Sequence, residues 1–352
     1  MDNYFAAANS ANGFVSWFCD IFDPRRLERT YIIKGGSGTV KSTLMKRAAT
    51  RASANGAVCE YYYCSSDPSS LDGVIMTLPD GRRLAMLDGT APHTHDPKFP
   101  GAAEEIVNLG EFWDDDKLKS EREKIISLSE KKSRLFADAY SSFSSAGTLV
   151  SAQLAESEGY LRSDKLTAAL ERLLIQRMRE CRVKGGESHC RIRALSALST
   201  LGECYFDSFS DCERVCLVSD NAGTSLHLFT ELISVANRLG LDYYRAPLPL
   251  MPHLTEAVRF PELSMAVVSR TDRSDVKVIN MTRFVDRDIL AQYDRLHRRM
   301  MRKNTRELID FGLARLSAVR GVHNALEKIY IGAMDFKRLE AHGEALLTKM
   351  GI

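Results

Sequence analysis

The chain states one pattern twice, and any fold it adopts has to accommodate that repeat. Phe5 to Phe22 runs through Gly13 and Asp20, and Arg193 to Phe209 runs through Gly202 and Asp207, with glycine, aspartate and final phenylalanine nearly in register. Later segments recur in the same order: Asn55-Gly-Ala-Val-Cys-Glu-Tyr-Tyr62 is matched by Leu239-Gly-Leu-Asp-Tyr-Tyr244, and Leu84-Ala-Met-Leu-Asp88 by Ser264-Met-Ala-Val-Val-Ser269. Val107-Asn-Leu-Gly-Glu-Phe-Trp-Asp114 returns as Ile279-Asn-Met-Thr-Arg-Phe-Val-Asp286. Copies this divergent predict two similar α/β folds in tandem, residues 1–185 and 186–352, joined near Lys184-Gly-Gly186. A chain of 352 residues is long enough for each to bury its own core.

The copies part company at a glycine-rich turn. Tyr31-Ile-Ile-Lys-Gly35-Gly-Ser-Gly-Thr-Val-Lys41-Ser42 has the strand, loop and helix context of a G-x-x-x-x-G-K-[ST] phosphate loop, with Val40 where the second glycine belongs. In such a loop the backbone N–H groups of Gly36, Ser37, Gly38 and Thr39 curl around a phosphate, and the following helix offers its positive end to the same anion. Gly35 and Gly38 permit the tight path, Lys41 bridges the β- and γ-phosphates, and Ser42, followed by Thr43, supplies a hydroxyl for Mg²⁺. Valine at position 40 restricts the backbone and adds a branched side chain beside the phosphate. The second copy, Val215-Cys-Leu-Val-Ser219-Asp-Asn-Ala-Gly-Thr-Ser225-Leu226, has neither the lysine nor the hydroxyl pair.

Period and breakers give the rest of the first copy. Leu27–34 reads as a strand, Lys41 to Ala54 as the loop-capped helix and Val58 to Cys64 as a second strand. Residues 74–78 and 83–87 flank the turn Pro79-Asp-Gly81 and predict a hairpin. Leu118, Ile125, Leu128, Leu135, Ala139 and Phe143, and in the second copy Ile289, Tyr293, Leu296, Met300, Leu308, Leu313 and Leu316, recur at helical spacing, so each half carries a long helical appendage. The predicted fold is α/β, with a parallel sheet core in each half.

Several polar residues are candidates for chemistry. Asp88 ends an apolar strand, where a carboxylate either anchors Mg²⁺ or caps the turn that follows. Asp67, before Pro68, is a base or a turn residue. His93, His95 and Asp96 form an H-x-H-D cluster, a weak metal signal, and Glu104 and Glu105 are placed on a short helix. Arg134 and Arg162 are possible arginine fingers, Cys181, His189, Cys190 and Cys204 are a zinc set of irregular spacing, and Arg295 to Lys303 is a basic helical patch open to RNA or a plain solvated face.

Bulk composition narrows partners only by exclusion. A net charge of +2 with 27% charged residues demands neither nucleic acid nor an anionic membrane. Eight cysteines without a C-x-x-C pair, no signal-peptide pattern at the N-terminus and no apolar run of membrane-spanning length predict a reduced, cytoplasmic protein without a membrane partner.

Taken together, Tyr31-Ile-Ile-Lys-Gly-Gly, Cys64-Ser-Ser-Asp-Pro68 with Leu71-Asp-Gly-Val74, and Leu87-Asp-Gly-Thr-Ala-Pro-His93 running through Asp96-Pro97, Pro100-Gly-Ala102 and Asn108 to Asp114 resemble a group of uncharacterised bacterial tandem P-loop ATPase-like proteins. The resemblance spans almost the full length and departs at Val40, where those proteins carry glycine. It implies nucleotide binding, with ATP as the expected ligand, in a P-loop NTPase-like fold, to which Ser42 and Asp88 add Mg²⁺ as the expected ion. Function then divides into two classes: hydrolysis or phosphoryl transfer to a small acceptor, using Lys41, Ser42 and Asp88, or a nucleotide-sensing or scaffold protein disabled in turnover by Val40.

Overall fold

The computed structural model describes residues 2–36, 38 and 40–352. The first half runs β1 (Asp2–Phe5), β2 (Ala7–Ser10), β3 (Gly13–Ser16), α1 (Phe18–Ile21), β4 (Arg29–Lys34), α2 (Lys41–Ala54), β5 (Val58–Tyr63), β6 (Leu71–Thr77), β7 (Arg83–Asp88), β8 (Glu104–Asn108), α3 (Asp115–Ser120), α4 (Arg122–Glu158) and α5 (Ser163–Cys181). The second repeats it with β9 (Cys190–Ile192), β10 (Ser196–Ser199), β11 (Gly202–Tyr205), β12 (Arg214–Ser219), α6 (Ser225–Arg238), β13 (Tyr243–Pro247), β14 (Thr255–Phe260), β15 (Met265–Val268), β16 (Lys277–Asn280), α7 (Arg287–Leu290), α8 (Arg295–Gly332) and α9 (Phe336–Lys349).

The two six-stranded sheets have the same order, β1-β5-β6-β7-β4-β8 and β9-β13-β14-β15-β12-β16. They are mixed, not parallel: β6 runs antiparallel to both neighbours, because Pro79-Asp-Gly81 turns it straight back into β7. β4 lies parallel between β7 and β8, so the ends of β4 and β7 share one edge of the sheet. Residues Glu104 and Glu105 belong to β8 and not to a helix; the β-branched Ile106 and Val107 that follow suit an extended chain beside β4.

Alternation along β4 builds two cores. Ile32 points inward with Ile75, Ala85 and Leu87, into a layer shared with Val215, Ala257, Ala266 and Val268 of the other sheet. Tyr31 and Ile33 face outward with Val74, Met76 and Met86 onto α2. Phe5 and Ala194 stand at equal spacing ahead of Gly13 and Gly202, and they pair with each other.

Each half also gives away its last helix. Leu339, Leu346 and Leu347 of α9 pack with Leu44, Met45 and Ala48 of α2 in the first half, while Leu166, Leu170 and Leu174 of α5 pack with Leu228, Phe229 and Leu232 of α6 in the second. Matching backbone bonds fasten the crossings: Asp114 N donates to Ala333 O (2.7 Å) and Asp335 N to Phe112 O (2.9 Å), as Asp286 N does to Tyr160 O (2.8 Å) and Arg162 N to Phe284 O (2.7 Å). The appendages α4 and α8 pack on each other around Ala139, Phe143, Ala146 and Leu316. Gly312 makes the close approach possible, since a Cβ there would lie 2.4 Å from the Phe143 ring. No helix of the described residues is long and apolar enough to cross a membrane.

Candidate functional site

The site forms where β4 and β7 end. Lys41, the first residue of α2, turns its ammonium onto Asp88 Oδ2 (2.7 Å), Thr90 Oγ1 (2.8 Å) and Gly35 O (3.0 Å). Asp88 uses its other oxygen on the Thr90 amide (2.8 Å), so it caps the turn and pairs with the lysine at once. Thr90, which sequence reasoning missed, ties the loop to the strand end by donating to Gly35 O (2.9 Å). Its signal was its place two residues after Asp88.

Ser42 Oγ accepts the Leu71 amide (2.9 Å), which leaves the hydroxyl a further lone pair, and Thr43 faces solvent. Ser37 and Thr39 lie outside the described residues. Val40 precedes α2 in a left-handed conformation (φ 49°, ψ 25°) with its side chain 38% exposed. The side chain turns outward, but on a backbone that glycine adopts far more easily.

The second half covers this edge. Ideal Cβ atoms at Gly36 and Gly38 would lie 3.1 Å from Tyr330 and 2.8 Å from Ile331, so the loop runs directly beneath the last turns of α8. Tyr330 packs on Trp113, with ring centroids 5.5 Å apart. Lys132 of α4 and His323 of α8 reach the same place. Burial lowers the Lys132 ammonium's pKa, with Cys64 opposing and Lys41 reinforcing. Burial also lowers that of His323, helped by Lys132 and opposed by Glu327 and Asp67.

The equivalent turn in the second half is closed on itself. The Asp220 carboxylate accepts from the amides of Ala222 (2.8 Å), Gly223 (3.1 Å) and Ser225 (2.6 Å) and from Thr224 Oγ1 (3.3 Å). Asp220 follows β12 as Gly35 follows β4, so an internal anion sits on the donors at the start of α6 where the first half offers only glycine.

Other candidates disperse. His93 pairs with Asp72 (3.0 Å), His95 lies 3.5 Å from Glu104 and Asp96 takes Lys34 (2.9 Å), so the H-x-H-D run is not one metal cluster. Glu104 is buried and accepts the amides of Lys98 (2.6 Å) and Phe99 (2.7 Å), which makes it a loop anchor. Asp67 accepts from Ser69 in its own turn. Arg134 stands on the exposed side of α4, and Arg162 pairs with Asp286 (2.8 Å) at a helix crossing. Cys181 donates to Leu263 O, His189 pairs with Asp242 (3.0 Å) and Cys204 contacts Ser199, leaving no common centre for zinc. In the basic patch, Arg298 lies over the Tyr160 ring and near Glu156, and Arg302 donates to Asn221 O (3.3 Å), so part of that face is structural. No family model, curated protein or solved structure matches the chain.

Proposed function

We propose that the first half is a P-loop NTPase-like nucleotide-binding unit that takes ATP with Mg²⁺ at residues 35–43. The observation that carries this reading is internal to the chain. The turn before α6 holds the Asp220 carboxylate on four donors, whereas the turn before α2 has glycine in that place and adds Lys41. Glycine in place of the internal aspartate, with a lysine beside it, suits an external phosphate. The Ser42 hydroxyl and Asp88 carboxylate are the hard oxygen donors that would hold Mg²⁺, which would neutralise phosphate charge. Phosphate oxygens would take the place of the Asp88 carboxylate on Lys41.

Packing of Glu327 and Ile331 over Gly38 favours the sensing form of this proposal over rapid turnover. Entry of a triphosphate would push on the end of α8, and α8 is packed along α4, so occupancy of the first half would be felt by the second. Hydrolysis or transfer to a small acceptor remains the other reading, and it requires the same site. Binding of a fluorescent ATP analogue with Mg²⁺ tests both. Lys41→Ala, which removes one charge-assisted bond or two, is expected to weaken binding roughly 10–1,000-fold. Equal binding by both forms, or photolabelling at 219–226 in place of 35–43, would refute the site.

A further inference from the structure

We infer that Cys64, Asp72 and His93 form a site for a divalent metal ion, and that Zn²⁺ is the ion their donors suit. Three separate segments bring them together. Cys64 follows β5, Asp72 lies at the start of β6 and His93 lies in the loop after β7, and one ligand atom from each falls within 4.8 Å of the other two. The convergence is anchored by backbone bonds on either side: Cys64 N donates to Ser70 O (2.9 Å) and His93 N to Thr90 O (2.9 Å).

The second observation is that Asp72 and His93 are buried and incompletely matched. Asp72 is 4% exposed and His93 7%. His93 Nε2 and Asp72 Oδ2 face each other as an ion pair at 3.0 Å, while His93 Nδ1 has no hydrogen-bond partner. Native interiors rarely leave such atoms unmatched, because each costs about 1–3 kcal/mol. The imidazole is held in place by stacking on Phe18 (centroids 4.8 Å apart) and by the edge of Phe14 (5.1 Å).

The donor set then chooses the ion. Thiolate, imidazole and carboxylate are the ligands of tetrahedral Zn²⁺, at bond lengths of about 2.0–2.3 Å, which put neighbouring ligands roughly 3.3–3.8 Å apart. The widest pair here therefore has to close by about 1 Å, a side-chain rotation. Three protein ligands leave the fourth position for water. On binding, the Cys64 S–H bond breaks and its proton goes to solvent while the sulfur electron pair forms the metal bond; a proton on the His93 nitrogen that ligates leaves in the same way.

The site does not depend on the phosphate reading. The test uses the full chain, reduced and stripped with chelator, then titrated with Co²⁺ as a spectroscopic probe. One equivalent should produce a near-ultraviolet thiolate-to-cobalt charge-transfer band with the visible bands of a tetrahedral ion, and Zn²⁺ should bleach both. Cys64→Ser should lose the charge-transfer band. Asp72→Asn and His93→Gln should each weaken binding by at least the ~10–100-fold that loss of an outer-sphere partner costs. No charge-transfer band near stoichiometry, or an undiminished band in Cys64→Ser, which would assign the thiolate to another cysteine, overturns the proposal. Should Cys64→Ser fail to fold, Asp72→Asn and His93→Gln decide: unchanged cobalt affinity in both overturns it.

Discussion

Replacing Val40 by glycine should stabilise this protein, against the usual direction of a change to glycine. Val40 sits at φ 49°, ψ 25°, where an L-residue pays roughly 1–2 kcal/mol because its Cβ crowds the following carbonyl. Glycine removes that cost and adds back about 0.5–1 kcal/mol of backbone entropy in the unfolded chain. Little burial is lost, because the valine side chain is already 38% exposed. The net expectation is a gain of about 0.5–1 kcal/mol, read by urea denaturation. Val40→Ala is the control: it trims the branch but keeps the Cβ, and should recover little of the gain.

If part of that strain also opposes the phosphate-bound form of the loop, Val40→Gly will bind Mg·ATP up to roughly tenfold more tightly, in a Lys41-dependent way. Phosphate release by the two forms then separates sensing from turnover. Glycine no more stable than alanine, or less stable than valine, would refute the left-handed strain argument.

Three further outcomes follow from packing and charge. Burial pushes the Glu256 carboxyl up to about 7 despite Ser196 and Arg270, with Glu203 adding to the rise. Its folded-state pKa lies above the unfolded value, so its stabilisation is complete below about pH 4.5 and lost as pH rises through 7; Glu256→Gln should match the parent near pH 4.5 and exceed it by roughly 3 kcal/mol at most at alkaline pH, and equal pH profiles would contradict this. Leu347→Ala, in the closing helix of the second half but packed on α2, should cost about 2–5 kcal/mol and lower hydrogen-exchange protection in α2 and β4, whereas loss confined to the second half would contradict the exchange of helices. Asp220→Ala should cost about 1–2 kcal/mol as a lost cap, and millimolar phosphate should restore part of it; no rescue would argue that the turn is not an anion cradle.

Much of the fold could be read from local pattern, and what could not was settled by distant partners. Helix Lys41–Ala54 was expected with the bounds it has, because a glycine-rich loop starts it and Asn55-Gly56 ends it. The hairpin of β6 and β7 was legible in Pro79-Asp-Gly81, and the conserved order of both copies was legible in their repeats, including the Asn108 and Asn280 side chains that cap equivalent turns. Strand β4 starts at Arg29 and not Leu27, an ordinary end error. Glu104 was misplaced because a charged pair suggests a helix face, while the competing signal was the β-branched pair after it. The helix exchange was invisible: Leu339, Leu346 and Leu347 announce a buried face without saying what buries it. The same holds for the site, where Lys41 and Asp88 were found by motif, while Thr90, Tyr330 and the meeting of Cys64, Asp72 and His93 depend on chain paths that no spacing rule supplies.

The way the two copies diverged is electrostatically consistent. In the first, Lys41 has Asp88 at 2.7 Å, in a setting where both side chains are largely shielded from water and neither charge could stand alone cheaply. In the second, Ser225 replaces the lysine and Ser269 stands where the strand-end acid was, so both members of the pair are gone together. The donors that remained at the start of α6 still needed an acceptor, and Asp220, in place of the glycine, provides it from within. The helical ends above each turn follow suit: over the second, Ser157 bonds His227 (2.8 Å) and Tyr160 donates to Ala222 O (2.9 Å), stitching the end of α4 to the turn. Over the first, the end of α8 lies against Gly36 and Gly38 through Tyr330 and Ile331. The turn of the second half is thus held by hydrogen bonds to its own aspartate and from the end of α4, and the exchange of α5 and α9 joins the two halves through their cores.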